Sequence, residues 1–336
     1  MIPHLVRADE LNHSQAGWVI AHTVNETGGK RILARKGDRI GPELVNALLP
    51  LGERELHLLE PEPGELHENE AGIRLVRAVA GQGIRVTGPS ESQYELIADR
   101  RGLLRVHVDL LRQINAIDGI SILTRFDYQP VNEGEPLAGV KVTPILMPRE
   151  RIEQAEAIGK DQSPLEVLAF QPLRVGVLVA ERVNASNLDR FRSALERKLD
   201  WYGGTLVSLL HTENHEPSFM RYLSELASQD LDLMMVAGAS SLDPLEPLFG
   251  ALRQLDARIV KHGVPIHPGS LFWIVEVHGV PLFGLSSCEM FSHKTVLDLI
   301  MPRLFAGVPV TRDALVELGH GGMLGQEMAF RFPPYD

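Results

Sequence analysis

The sequence predicts a three-layer, parallel-rich α/β domain in its C-terminal half, preceded by smaller β-rich modules. Three observations predict it. "VGVLV" (Val175–Val179) and "LDLMMVAG" are continuous apolar runs, the texture of strands buried on both faces. Between and after them, "NLDRFRSALERKLDWYGG" and "PSFMRYLSELASQ" carry apolar residues at helical spacing. The N-terminal half instead offers short β-prone runs punctuated by proline and glycine. Alternating strand and helix patterns call for crossovers, and hence for parallel pairing.

Taken in order, "WVIAHTV" (Trp18–Val24) and "KRILARKG" (Lys30–Gly37) flank "NETGG", whose Gly28-Gly29 suits a hairpin turn. Pro42 then opens a helix with Leu44, Val45, Leu48 and Leu49 on one face. "RELHLLEPEPGE" reads as a short strand running into a turn. In "GELHENEAGIRLVRAVAGQG", Glu65, Glu68 and Glu70 crowd a helix's first turn, where the dipole favours them, and Gly81 or Gly83 stops it. "YELIADRRGLLRVHVDLL" alternates on both sides of a turn at Asp99–Gly102, and residues 84–147 together read as a mostly β module. "PRERIEQAEAIGKDQSP" is a polar helix, and the main boundary falls near its end. The expected domains are thus 1–65, 66–165 and 166–336.

Beyond that boundary, Leu188, Phe191, Leu195 and Leu199 form a helix stripe that ends at Gly203-Gly204. "TLVSLLH" is a strand, "DPLEPLFGALRQLDA" a helix, "LFWIVEVHGVPLFGLSS" a hairpin turning at His278-Gly279, and "KTVLDLIMPRLFAG" the closing helix.

Over 336 residues the net charge is −11, which argues against broad nucleic-acid or anionic-membrane binding. The single cysteine cannot form an internal disulfide, and no apolar run is long enough to span a bilayer. With no signal-peptide core in "MIPHLVRADELNHSQAG", a cytoplasmic location is expected.

In open α/β sheets, ligands bind beyond the carboxyl ends of the strands. Two loops fit that place: "VAGASSLDP" (Val236–Pro244) and "GLSSCEMF", which starts at Gly284. Gly238 and Gly284 would let the backbone approach a ligand, while Ser240, Ser241, Ser286 and Ser287 add hydroxyls. The alternative is tight loop packing with no ligand. Cys288 stands at a helix start, where a thiol is either activated or simply a buried small hydrophobe. "KHGVPIHPGS" supplies Lys261, His262 and His267 before the Pro268-Gly269 turn, as phosphate partners or as solvated loop residues. Glu65, His67 and Glu68 are metal-ligand types without a metal-site spacing, so a solvated helix start accounts for them and no metal site is expected. No dinucleotide fingerprint, Walker loop, nucleophile elbow or zincin motif occurs.

Over roughly Pro172–Gly307 the chain resembles the molybdopterin-binding domain of adenylyltransferases and molybdenumtransferases in molybdenum-cofactor biosynthesis. That family places a T-T-G-G-type loop, an H-G-V…P-G segment and a G-L-P-G loop in this order. Here "VAGASSLDP", "KHGVPIHPGS" and "GLSSCEMF" stand at those positions. A subgroup with an N-terminal extension is closer still, sharing "GELHENEAG", Cys288 and "ELGHGG" (Glu317–Gly322). The departures are Val236-Ala237-Gly238-Ala239 for threonines and paired glycines, Ser286-Ser287 for Pro-Gly, and "VAERVNAS" for the first acidic loop, with Glu181 near its acidic position.

The resemblance implies a Rossmann-like domain that binds molybdopterin or molybdenum cofactor. The implied site comprises Gly238, Ala239, Ser240, Ser241, Asp243, Pro268, Gly269, Gly284, Ser286, Ser287 and Cys288. A carrier that delivers the pterin to a molybdenum enzyme, a transferase using Mg²⁺ through acidic residues such as Asp243, and a non-binding scaffold remain distinct readings; the altered loops favour binding over turnover. It also implies a homodimer or homotrimer, with "LFWIVEV" as an apolar segment for a partner to cover.

Overall fold

The computed structural model describes residues 1–335 except 91, 181, 182, 239–242, 244, 287, 288 and 291–293. The chain forms two compact units. The first comprises Met1–Asp99, Arg105–Asp127 and Glu133–Val167; the second comprises Arg100–Leu104, Tyr128–Asn132 and Leu168–Asp336.

In the first unit, β1 (Ile2–Arg7), β2 (Val19–Ile20) and β5 (Glu55–Glu60) make an antiparallel sheet, with β5 central. The hairpin β3 (Val24–Asn25) and β4 (Ile32–Ala34) turns through Gly28, whose φ of +72° an L side chain rarely adopts. Helix α1 (Pro42–Leu48) begins on its proline and buries Val45 and Leu48 with Ile20, Leu56 and Leu58.

The strand β6 (Glu65–His67) precedes α2 (Glu68–Val79), so Glu65 lies outside the helix in which it was expected. It pairs instead with Pro148 of β13 (Leu146–Pro148), and its carboxylate accepts from the Met1 amino group at 2.7 Å. Between these come β7 (Ile84–Ser90), β8 (Gln93–Ala98), β9 (Gly102–Val106), α3 (Val108–Asn115), β10 (Ile120–Thr124), β11 (Gln129–Val131) and β12 (Pro136–Val142). A four-stranded antiparallel sheet runs β10-β12-β8-β7. "VDLL" belongs to α3 rather than to a strand, because its apolar residues follow the helical period over this span. Helix α4 (Arg149–Gly159) is tied to α2 by a two-bond Arg74–Glu156 pair at 2.8 and 2.6 Å, and β14 (Leu165–Ala169) follows it.

The second unit is a three-layer α/β/α structure. Its elements are β15 (Arg174–Val179), α5 (Ala185–Tyr202), β16 (Thr205–His211), α6 (Glu216–Ala227), β17 (Leu233–Ala237), α7 (Pro247–Gln254), β18 (Arg258–His262), β19 (Trp273–Val277), β20 (Val280–Leu285), α8 (Val296–Phe305) and α9 (Arg312–Glu317). The sheet order is β16-β15-β17-β20-β19-β18; the first four strands are parallel, and β19 and β18 extend it antiparallel. Alternate residues of the central strands enter two different cores, as period-2 side chains require. Val175, Val177, Met235 and Phe283 pack with α5 and α8, whereas Leu178, Met234, Val236 and Leu282 pack with α6 and α7.

Helix α5 starts on Asn184, whose side chain accepts the Asn187 N–H at 2.9 Å, and stops at Gly203 in the left-handed conformation. Phe272, Trp273, Ile274, Val275 and Val277 of "LFWIVEV" are buried in this unit's own two cores, so most of the apolar residues offered for a partner to cover are already covered, with Leu271 exposed. The unit also includes β11 paired antiparallel with β9, from Gln129 opposite Leu104 to Val131 opposite Gly102. Among the described residues, no helix is long and apolar enough to cross a membrane.

Candidate functional site at the strand ends of the second unit

The parallel strands β15, β17 and β20 end side by side, with Val179 opposite Ala237 and Ala237 opposite Leu285. Their pairing continues one residue further. Ala180 donates to the Ala237 carbonyl at 2.8 Å, and Gly238 donates to the Leu285 carbonyl at 2.9 Å. The loops leaving β17 and β20 therefore start from adjacent points on one edge of the sheet. The chain leaves β15 for β16 on one side and returns to β17 on the other, which makes these strand ends a topological switch point.

Gly238 has φ +77°, so the turn out of β17 needs a residue without a β-carbon. Asp243 lies on the surface just before α7, and its Oδ1 accepts the Leu245 N–H at 2.8 Å while its carbonyl accepts from Glu246 at 3.1 Å. Its carboxylate thus helps to shape the approach to α7.

Gly284 answers a packing demand. A β-carbon there would come within 1.8 Å of the Trp273 ring, whose residue pairs with it across β19 and β20. Gly269, directly after Pro268, has φ +120°, and a β-carbon on it would meet Val296 at 2.6 Å and Glu289 Oε1 at 3.2 Å. The "HPG" turn and the loop after β20 are therefore neighbours in space.

The backbone N–H of Ser286 donates to Glu289 Oε2 at 2.5 Å, and its hydroxyl donates to the same oxygen. Glu289 is only 2% exposed. Sequence reasoning missed this residue, although its signal was present: Ser286-x-x-Glu289 has the spacing of a capping box before a helix. The donors expected from Ser286 are directed at this carboxylate. Ala239, Ser240, Ser241, Ser287 and Cys288, with Glu181, lie outside the described residues.

Two further sequence features meet beside the site. His267 donates to the Gly322 carbonyl at 2.8 Å and accepts from Leu324 at 2.9 Å, so "HPG" is backed by the "GHGG" segment. A β-carbon on Gly322 would lie 2.3 Å from the Pro265 carbonyl, which explains a glycine at that position. Lys261 and His262 belong to the edge strand β18, not to a loop as expected. Among the described residues, no group of three or more His, Cys, Asp or Glu is placed to hold a metal ion.

No family model matches the chain, and no curated protein matches it. Among solved structures, the molybdopterin biosynthesis enzyme MoaB of Thermus thermophilus is 16% identical, covering 41% of this chain and 98% of its own with a TM-score of 0.28. A molybdenum cofactor biosynthesis protein B is 16% identical over 41% of this chain and 96% of its own, with a TM-score of 0.33. The MoeA protein of Pyrococcus horikoshii is 11% identical over 91% of this chain and 75% of its own, with a TM-score of 0.32. Likenesses this distant say nothing of what this chain binds.

Proposed function

We propose that the second unit binds molybdopterin or molybdenum cofactor, in its biosynthesis or its delivery to a molybdenum enzyme. The observation that carries this reading is the convergence of three segments. The loops after Gly238 and Leu285 start from adjacent parallel strands, and Gly269 abuts Glu289 beside the second of them. These are the segments whose order in the chain resembles the molybdopterin-binding domain. The ligand carries a phosphate, a hydrogen-bonding pterin and a dithiolene, and strand-end loops with small residues supply backbone donors to such groups.

In this proposal Gly238 and Asp243 stand on one side with Ala239, Ser240 and Ser241. Pro268, Gly269, Gly284, Ser286, Ser287 and Cys288 stand on the other. Titration of the purified protein with molybdopterin tests it: a saturable binding phase that is lost in Gly238→Val is expected, whatever phosphate binding the first unit retains. Failure of the wild-type protein to bind, or unchanged binding by that variant, overturns it. Turnover with ATP and Mg²⁺ would replace binding by the transferase reading. A homo-oligomeric carrier is part of the same proposal, and light scattering that finds only monomer at high concentration removes that part.

A further inference from the structure

The first unit holds a cavity of about 520 Å³, within the size range of small-molecule sites. It is lined by the Arg35–Asp38 loop after β4, the start of α2, Ser92 in the turn between β7 and β8, and Lys141 on β12. Among the described residues, its lining includes three cations, Arg35, Lys36 and Lys141, and two carboxylates, Glu68 and Asp38.

Both carboxylates are engaged within the wall. Glu68, 3% exposed, accepts from Lys36 Nζ at 3.2 Å and from the Ser92 hydroxyl through the same oxygen, Oε2. Asp38 Oδ2 accepts the Arg35 backbone N–H at 2.7 Å. His67 is engaged at both nitrogens. Its Nδ1 accepts from the Asn69 N–H at 3.3 Å, so its Nε2 carries the proton and donates to the Gly37 carbonyl at 2.8 Å. Gly37 has φ +89°, and a β-carbon there would lie 2.6 Å from Glu68 Oε1. His67 and Glu68 thus fasten the Arg35–Asp38 loop to the helix start.

Among the described residues, neither the Arg35 guanidinium nor the Lys141 ammonium has an ion-pair partner. Asp38 meets only a backbone N–H, so it offsets one of these two cations, and the described lining keeps a positive excess that in a chain of net charge −11 draws anions. The guanidinium fork suits a phosphate's paired oxygens, and the ammonium adds a point charge.

We propose that this cavity binds a small molecule bearing a phosphate monoester, with Arg35 and Lys141 holding the phosphate. The rest of the molecule fills the remaining volume against His22 and Ser92.

The test is calorimetric titration of the full chain, at low salt, with inorganic phosphate, adenosine monophosphate and glucose phosphate. At least one monoester is expected to bind more tightly than inorganic phosphate, since it occupies more of the cavity. Lys141 is only partly buried, so Lys141→Ala keeps the fold and weakens that binding about tenfold. Lys141→Glu abolishes it, and Gly238→Val leaves it unchanged, which separates this site from the strand-end site of the second unit. Absence of binding by all three probes, or equal binding by wild type and Lys141→Glu, overturns the proposal. Equal affinity for inorganic phosphate and both monoesters overturns it as well, because the cavity then selects nothing but an ion.

Discussion

Lys198 Nζ lies 2.7 Å from Asp298 Oδ1, and both side chains are almost completely buried although they are 100 residues apart in the chain. The carboxylate is fully used. Tyr335 also donates to Oδ1 at 2.8 Å, while the Thr295 backbone and hydroxyl donate to Oδ2, each at 3.0 Å. One group therefore starts α8, neutralises a lysine of α5 and receives the Tyr335 hydroxyl.

Removing one member leaves the other charge buried and unpaired. Asp298→Asn is expected to lower unfolding stability by about 3–5 kcal/mol. Lys198→Met combined with it should show a coupling of about 0.5–3 kcal/mol in a double-mutant cycle read by urea denaturation. Additive losses at the two positions would mean that the pair contributes no mutual stabilisation.

The tyrosines next to this pair carry a pH dependence. Tyr202 and Tyr335 touch through their hydroxyls at 3.1 Å, and burial, the largest cause for each, holds both phenols well above their ordinary 10.0. Above pH 10.0 the unfolded chain gives up phenolic protons that the folded chain keeps, so stability falls as pH rises from there toward the raised values. Denaturation midpoints measured up the alkaline range should decline, and Tyr335→Phe should flatten the decline. An identical slope in that variant would remove Tyr335 as the cause.

Gly284→Ala should be costly without any ligand present. Its β-carbon would lie 1.8 Å from an atom of the Trp273 ring, and overpacking of a filled core costs about 1–3 kcal/mol or somewhat more. Trp273→Leu in the same chain should recover part of the melting temperature. If the alanine variant melts like the wild type, the tight approach is not a constraint.

Glu289 places a buried carboxylate against the Ser286 N–H and hydroxyl. If the strand-end site takes molybdopterin as proposed, Glu289→Gln, which keeps an acceptor for the Ser286 N–H and hydroxyl but cannot carry a negative charge, should bind its phosphate more tightly. Titration of both forms decides it. Weaker binding by the glutamine form would place the phosphate away from Ser286.

Local chemistry made much of the fold legible. Gly28 at the hairpin, Pro42 at a helix start, Gly203 at a helix stop and the His278-Gly279 turn each fulfil a backbone requirement that a single residue type reveals. The misplaced start of α2 has a non-local cause: Glu65–His67 pairs with Leu146–Pro148, a partner no window around residue 65 contains. The edge strand β18 escapes a sequence reading because its alternation is weak and its pairing with β19 has an irregular register. At the candidate site, the glycines are legible as punctuation. The reason for Gly284 is not, since it depends on the indole of the facing strand. Lys198–Asp298 is beyond reach for the same reason, whereas Glu289 is readable as the fourth residue of "SSCE".

The chain changes unit after residues 99, 104, 127, 132 and 167, so the gene cannot be cut once to release either unit whole. A clone that starts at Leu168 would lack Arg101, which stacks 5.2 Å over the Trp201 ring and donates to its carbonyl at 3.2 Å. It would equally lack Tyr128, whose ring lies 3.8 Å beneath the Arg303 guanidinium. On the ribosome, the first unit is incomplete until Val167 has emerged, by which time the paired strands β9 and β11 of the second precede almost all of the rest of that unit. Recombinant dissection of this protein, and any exchange of its halves between related genes, therefore has to carry Arg100–Leu104 and Tyr128–Asn132 along with the C-terminal segment.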